Sequence, residues 1–290
     1  MEWMDWVPRT SFGTQIILAL IAKYVLYFLF KKASELSKHA DQNMLTSIVV
    51  ASFNIGAVFL FVDDLNAFLQ RQYDAFGIPT LDPAIWDQLP LFVVCVIGIV
   101  AKDFADYWSH RLMHTKWGWA THAAHHSDTH VNGFTGLRVH FLESILMTLS
   151  YVLLLTWLQI PQIIPIVALF YAVQGIYVHL DLDWDHGPLK YLFASPRYHR
   201  WHHADVPEAY GKNLASVIPL FDVMFGTYYN PGICKEPMGA LKTGVPDKNP
   251  FLIYIYPFQD WARLCREEYA KRGGKLKSLR AKADATGTPQ

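Results

Sequence analysis

Eight of the 13 histidines stand in three short words: HRLMH at His110–His114, HAAHH at His122–His126 and HRWHH at His199–His203. Within each word the imidazoles are three or four residues apart, the spacing that brings side chains onto one face of a helix. Imidazole is the commonest metal ligand and suits iron, copper and zinc. A single histidine of this kind would more often be a structural or surface residue, but three boxes at helical spacing reverse that expectation. Eight imidazoles also exceed what one ion needs. The candidate ligands are therefore His110, His114, His122, His125, His126, His199, His202 and His203, arranged for a dinuclear centre.

Other polar residues are placed to support them. Asp103, Asp106, Tyr107, His110 and His114 form one polar stripe on an otherwise apolar helix. Ionisable residues at membrane depth usually face a bundle interior or a functional cavity. Metal-bound imidazoles usually donate their second N–H to a carboxylate or carbonyl, so Asp103 and Asp106 are expected to accept from box histidines. His179, which ends an apolar run in YVHLDLDWDHG, is a ninth candidate ligand, with Asp183 as its outer partner or as an alternative ligand. His140, between Arg138 and Glu143, is expected to orient ligands or substrate. His186 reads as a capping or surface residue and His39 as a solvated loop residue. No catalytic residue is expected beyond the ligands. The third box has a legible start: Ser195 can cap a helix, and Pro196 fits its first turn.

These boxes need elements to hold them. Hydrophobic residues make up 52% of the chain and charged residues 17%, with a mean hydropathy of +0.14. That balance suits a chain spending much of its length in lipid. A net charge of zero gives no reason to expect a nucleic-acid partner. Cys95, Cys234 and Cys265 are scattered, forming neither a disulfide framework nor a thiolate metal site. The MEWMDW start lacks the charged region and cleavage site of a signal peptide.

Apolar stretches run over Thr14–Phe30, Leu45–Val62 and Leu91–Val100, the last continuing helically into the first box. Phe141–Ile160 and Ile163–Val178 then read as a hairpin that enters the membrane and returns. Lys31, Lys32 and Lys38 in the first loop, against mostly aspartates in the next, mark the first loop as cytoplasmic. All three boxes then meet on the cytoplasmic face. The aromatic run Phe251–Trp261 could lie at the interface, followed by a basic, solvated tail. The expected fold is all-α: a multi-pass membrane bundle of about four to five embedded helices with a histidine-rich cytoplasmic cap. One domain is expected over 1–290, with spans in 1–100, the catalytic core in 101–230, a membrane hairpin at 141–178 and a tail at 231–290.

With these residues in place, the chain resembles the fatty acid hydroxylase/sterol desaturase superfamily of integral membrane enzymes. Its HxxxH, HxxHH and distant HxxHH are matched by His110 and His114, by His122, His125 and His126, and by His199, His202 and His203. The flanking words DFADYWSHR, NGFTGLRVHFLE, GPLKYLFASPRYH and KNLASVIPLFDVMFGTYY match as well, so the resemblance runs from Asp103 to Tyr228. Phe141 stands where the family often has proline, and Phe221 where it often has tryptophan. His179 and Asp181 replace an HxN pair, which leaves the ninth ligand open between His179 and Asp183.

The resemblance implies two iron ions, O2 as co-substrate and oxidation of a C–H bond in a membrane-soluble lipid, by hydroxylation or desaturation. RVHFLE and PRYHRWHH lean toward the sterol-desaturase-like branch over fatty acyl, sphingoid, ether-lipid or carotenoid substrates. The sequence holds no GxGxxG fingerprint, CxxC cluster or haem domain, so an external donor is implied: a ferredoxin or a cytochrome b5 type with its reductase. The location implied is a bacterial inner membrane or the endoplasmic reticulum. Rival readings are a membrane zinc hydrolase, which would want the missing HExxH glutamate, a b-type haem carrier, and a non-catalytic lipid-binding relative.

Overall fold

The computed structural model describes residues 43, 46–50 and 62–285. Among them the architecture is all-helical, with one isolated antiparallel bridge between Ala204 and Met238 and no strand. The expected span Thr14–Phe30 and most of Leu45–Val62 lie outside the described residues, as does His39.

Three helices build the base. Helix α1 spans Val62–Phe76, α2 Leu91–Met113 and α4 Phe141–Trp157. Helix α5, Ile164–Val178, returns beside them. Val94, Val152, Leu155, Ile160, Ile163 and Val167 pack between α2, α4 and α5, while Leu69 and Trp86 close the cluster from the α1 side. Polar links fix the ends: Tyr73 donates to the Leu153 carbonyl at 2.7 Å and Trp86 to the Leu158 carbonyl at 2.7 Å.

Helix α2 runs unbroken from the apolar stretch into the first box, as its sequence predicts. Its outer face carries Phe92, Val96, Val100, Phe104, Trp108 and Leu112, all exposed and four residues apart. Ile145, Leu149 and Leu153 repeat that pattern on α4. Even so, no helix among the described residues is long and apolar enough to cross a membrane. The hairpin helices have 17 and 15 residues, about 26 and 22 Å at 1.5 Å per residue, short of a hydrocarbon core of roughly 30 Å. Helix α2 is longer, but Lys102, Asp103 and Asp106 occupy its second half.

The boxes sit at the far end of this base. Helix α3, Trp119–His126, follows α2 through a tight turn. At Gly118 a Cβ would lie 2.1 Å from the Leu112 carbonyl oxygen and 2.7 Å from the Met113 Cα, so only glycine lets the chain fold back so closely. Helix α6, Pro196–His203, starts as its sequence predicts, with the Ser195 hydroxyl accepting from Tyr198 N–H at 3.2 Å and proline in the first turn. A short α7, Leu220–Phe225, ends at Gly226 with φ +75°.

The aromatic run and the basic run form one continuous helix, α8, Pro250–Ala285. Ile253, Tyr256, Asp260 and Leu264 recur on one face of α8 and are buried there. Trp261 donates to the Trp117 carbonyl at 2.9 Å, next to the start of α3.

Candidate metal centre

Four helix ends supply the imidazoles. The last turn of α2 and its cap carry His110 and His114, α3 carries His122, His125 and His126, His179 caps α5, and α6 carries His199, His202 and His203. His114 is partly exposed and the others are buried. Their ring nitrogens form two groups: His110, His114, His122, His126 and His202 in the first, and His125, His179, His199 and His203 in the second. Within each group, one nitrogen per ring lies within 4.8 Å of all the others. The structure thus brings together all nine histidines that the sequence singled out as ligands.

The two HxxHH words are divided in opposite senses. The second box gives His122 and His126 to the first group and His125 to the second. The third box gives His202 to the first group, and His199 and His203 to the second. Helix geometry accounts for the split, because positions i and i+4 lie about 40° apart around the axis while i+3 and i+4 diverge by about 100°. The groups adjoin, with the His126 and His203 ring centroids 4.6 Å apart.

The spacing suits ligands around an ion. In the first group His122 Nε2 lies 2.9 Å from His110 Nε2 and 3.2 Å from His126 Nε2. In the second, His179 Nε2 lies 2.8, 3.2 and 3.3 Å from Nε2 of His199, His203 and His125. Metal–imidazole bonds of about 2.0–2.1 Å at right-angle to tetrahedral geometry would put neighbouring nitrogens about 2.9–3.4 Å apart.

Protonation fits as well. Burial pushes His110 down to about 4, below the ordinary imidazole value of 6.5. Burial first, then mutual repulsion among the rings, holds His114, His122, His126 and His203 well below that value. Near neutral pH each ring therefore has one N–H. His110 Nδ1–H donates to the Leu214 carbonyl at 2.7 Å, and His202 Nδ1–H to the Lys212 carbonyl at 2.8 Å. A carbonyl can only accept, so both Nε2 atoms keep a lone pair directed into the group. His122 Nδ1–H donates to Glu143 Oε1 at 2.7 Å, which leaves its Nε2 lone pair facing that of His110 when Glu143 is ionised. His114 Nε2 and His202 Nε2 are buried without a hydrogen-bond partner. Converging buried lone pairs repel one another, and a bound cation removes the conflict.

A cavity of about 620 Å³ opens onto the first group, reaching His114, His126 and His202 between Trp119 and Leu264. Its lining also includes Lys116, Lys242, Asp205, Asp260 and Arg263.

The supporting residues are placed differently from expectation. Asp103 accepts no imidazole N–H. Its carboxylate takes the backbone N–H groups of Ser216, Val217 and Ile218 at 3.1, 2.9 and 2.7 Å. Asp106 pairs with Lys102, one turn back on α2, whose ammonium lies over the Tyr171 ring at 3.9 Å. Asp183 is bound by Arg197 at 2.8 Å and belongs to neither histidine group. His140 caps α4 and hydrogen-bonds the Tyr254 carbonyl at 3.2 Å, apart from both groups. His186 bonds Tyr177 and the Phe193 carbonyl. The sequence reading assigned no role to Glu143, to Asp222, or to the carbonyls of Lys212, Leu214 and Gly175, the last of which accepts from His179 Nδ1–H at 2.5 Å.

Residues 95–227 match the model of the fatty acid hydroxylase family. Among individual proteins, the chain is 33% identical over 148 residues to an ornithine lipid hydroxylase of Rhizobium tropici, covering 50% of this chain and 44% of that protein. It is 28% identical over 233 residues to the alkylglycerol monooxygenase of Homo sapiens, covering 78% and 48%. A methylsterol monooxygenase of Arabidopsis thaliana is 27% identical over 165 residues, covering 52% and 50%. The chain thus spans half or less of the length of each of these relatives. No solved structure matches it.

Proposed function

We propose, from the match of residues 95–227 to the fatty acid hydroxylase family model, that the chain is an O2-dependent lipid hydroxylase of that family. Nine histidines would hold two iron ions, one in each group. The observation that carries this reading is the pair of converging imidazole groups at one end of the bundle. Hydroxylation is favoured over desaturation because the relatives are named as hydroxylases and monooxygenases. The relatives' names cover an ornithine lipid, an alkylglycerol and a methylsterol, so the substrate class is a membrane lipid.

The iron pair would supply the oxidising power to place one atom of O2 in a C–H bond of the substrate. The protein's part is ligation, orientation and exclusion of water. The Lys212 and Leu214 carbonyls fix which nitrogen of His202 and His110 faces inward, and Glu143 does the same for His122 when it is ionised. Trp119 and Leu264 wall the cavity beside His114, His126 and His202, where a substrate C–H can be held away from bulk water. One hydroxylation consumes two electrons and two protons and releases one water. A ferredoxin or cytochrome b5-type donor with its reductase would deliver the electrons. The apolar outer face of α2, from Phe92 to Leu112, supports a position against lipid. The cap would face the cytoplasm.

Lipid extracts of membranes carrying the iron-loaded protein and a reducing system, incubated under 18O2, test the proposal. A lipid gaining one 18O-labelled hydroxyl, absent without oxygen, is the expected result. No new hydroxyl, or one labelled only from water, would overturn it.

A further inference from the structure

The stretch 212–218, between α6 and α7, crosses over the first histidine group and touches it twice. The Lys212 carbonyl accepts from His202 Nδ1–H at 2.8 Å, and the Leu214 carbonyl accepts from His110 Nδ1–H at 2.7 Å. Two rings from different helices are thus aimed by one short piece of backbone. Between them Asn213 has φ +56° and is pinned by its side chain, which donates to the Tyr198 and Tyr229 carbonyls at 2.8 and 2.6 Å.

Two carboxylates, each 0% exposed, grip this strap. Asp103 takes its far half, the N–H groups of residues 216–218. Asp222 takes the half that matters for aim, accepting Leu214 N–H at 2.7 Å and Ala215 N–H at 2.9 Å. The same carboxylate accepts the hydroxyls of Thr227 at 2.7 Å and of Tyr198, the residue before His199. Asp222 therefore holds the very peptide whose carbonyl orients His110. The second group has a different source of aim: His179 leans on the Gly175 carbonyl of its own helix, α5.

We infer that Asp222 is a positioning residue for one of the two ions, acting through the strap on His110 and His202 and hence more strongly on the first group than on the second, which it reaches only through the Tyr198 hydroxyl. The inference rests on the two-ion reading above. Asn in place of Asp222 keeps the size of the side chain but offers one acceptor oxygen, and its NH2 then faces N–H or O–H donors. The strap shifts, and with it the carbonyls that fix the tautomers of His110 and His202. Outer partners of this kind are worth about 10–100-fold in metal affinity.

The test is anaerobic titration of detergent-purified, metal-free protein with 57Fe(II), read by bound iron per chain and by Mössbauer spectroscopy, with circular dichroism as the check on folding. Wild type should bind about two irons. Asp222→Asn should bind one near wild-type affinity and the other about 10–100-fold more weakly, with loss of the paired-iron signal. Two irons at wild-type affinity, or equal weakening of both in a folded chain, would overturn the role of Asp222. If Asp222→Asn does not fold, Asp103→Asn loosens the same strap from its other half and is judged by the same two outcomes. A wild-type chain that binds no iron overturns the metal reading itself, not the strap.

Discussion

The two histidine groups draw on the same boxes but are built differently. The first has five rings, a cavity reaching three of them, and orienting partners that come from elsewhere in the chain: Glu143 on α4 and the strap carbonyls of Lys212 and Leu214. The second has four rings, and His179 takes its orientation from its own helix. Gly136 lets the backbone pass close to that ring: a Cβ there would lie 3.0 Å from His179 Nδ1 and 2.9 Å from the Gly175 oxygen. Two ions held side by side, as proposed, would thus be tuned by separate parts of the sequence. One answers to distant segments and the other to the end of α5.

The largest separation should come from ligand removal. His202→Ala should empty the first group and His125→Ala the second, each leaving about one iron per chain and hydroxylation at background. Iron counting on folded protein checks this, and two irons with turnover in either variant would break the ligand assignment. Glu143→Gln comes next. It keeps a hydrogen-bonding side chain beside His122 but removes the carboxylate, so iron in the first group should bind about 10–100-fold more weakly while the second is unchanged. Equal loss from both groups would erase the contrast. Gly136→Ala should be the milder mirror image, weakening only the second group by crowding His179; competitive chelator titration would resolve it.

Acid should erode both groups together. The folded, metal-free protein holds His110 near 4, against 6.5 for an ordinary imidazole, and His125 and His199 of the second group are also well below 6.5 through burial. Between those values the unfolded chain binds protons that the folded chain refuses. Stability is therefore fully present above about 6.5 and is lost as pH falls toward about 4. Thermal midpoints of metal-free protein at a series of pH values should drop through that window. A flat profile would mean that these rings are not buried and neutral.

The nine clustered histidines were legible because helical spacing carries them: three boxes, plus a histidine at the end of an apolar helix. Their division into two groups follows from the same periodicity, since i+3 points about 100° away from i+4. What supports them was not legible. Asp106 shares a helix face with His110, but it shares one with Lys102 too, and the buried carboxylate went to the cation. Asp103 was captured by backbone N–H groups more than a hundred residues away. Glu143 meets His122 only because α4 turns back over α3, and backbone carbonyls carry no residue signature at all. For the fold, the all-helical class and the run of α2 into the first box follow from apolar patterning. The aromatic and basic runs merge into α8 because buried residues recur along one face, from Ile253 through Tyr256 and Asp260 to Leu264.

The most direct test of the two-group account is the metal content of wild-type protein, purified in detergent after anaerobic, iron-replete preparation, with Mössbauer spectroscopy on 57Fe-grown material. The account predicts about two irons per chain with the signature of a coupled pair. One iron, zinc alone, or no metal would contradict it.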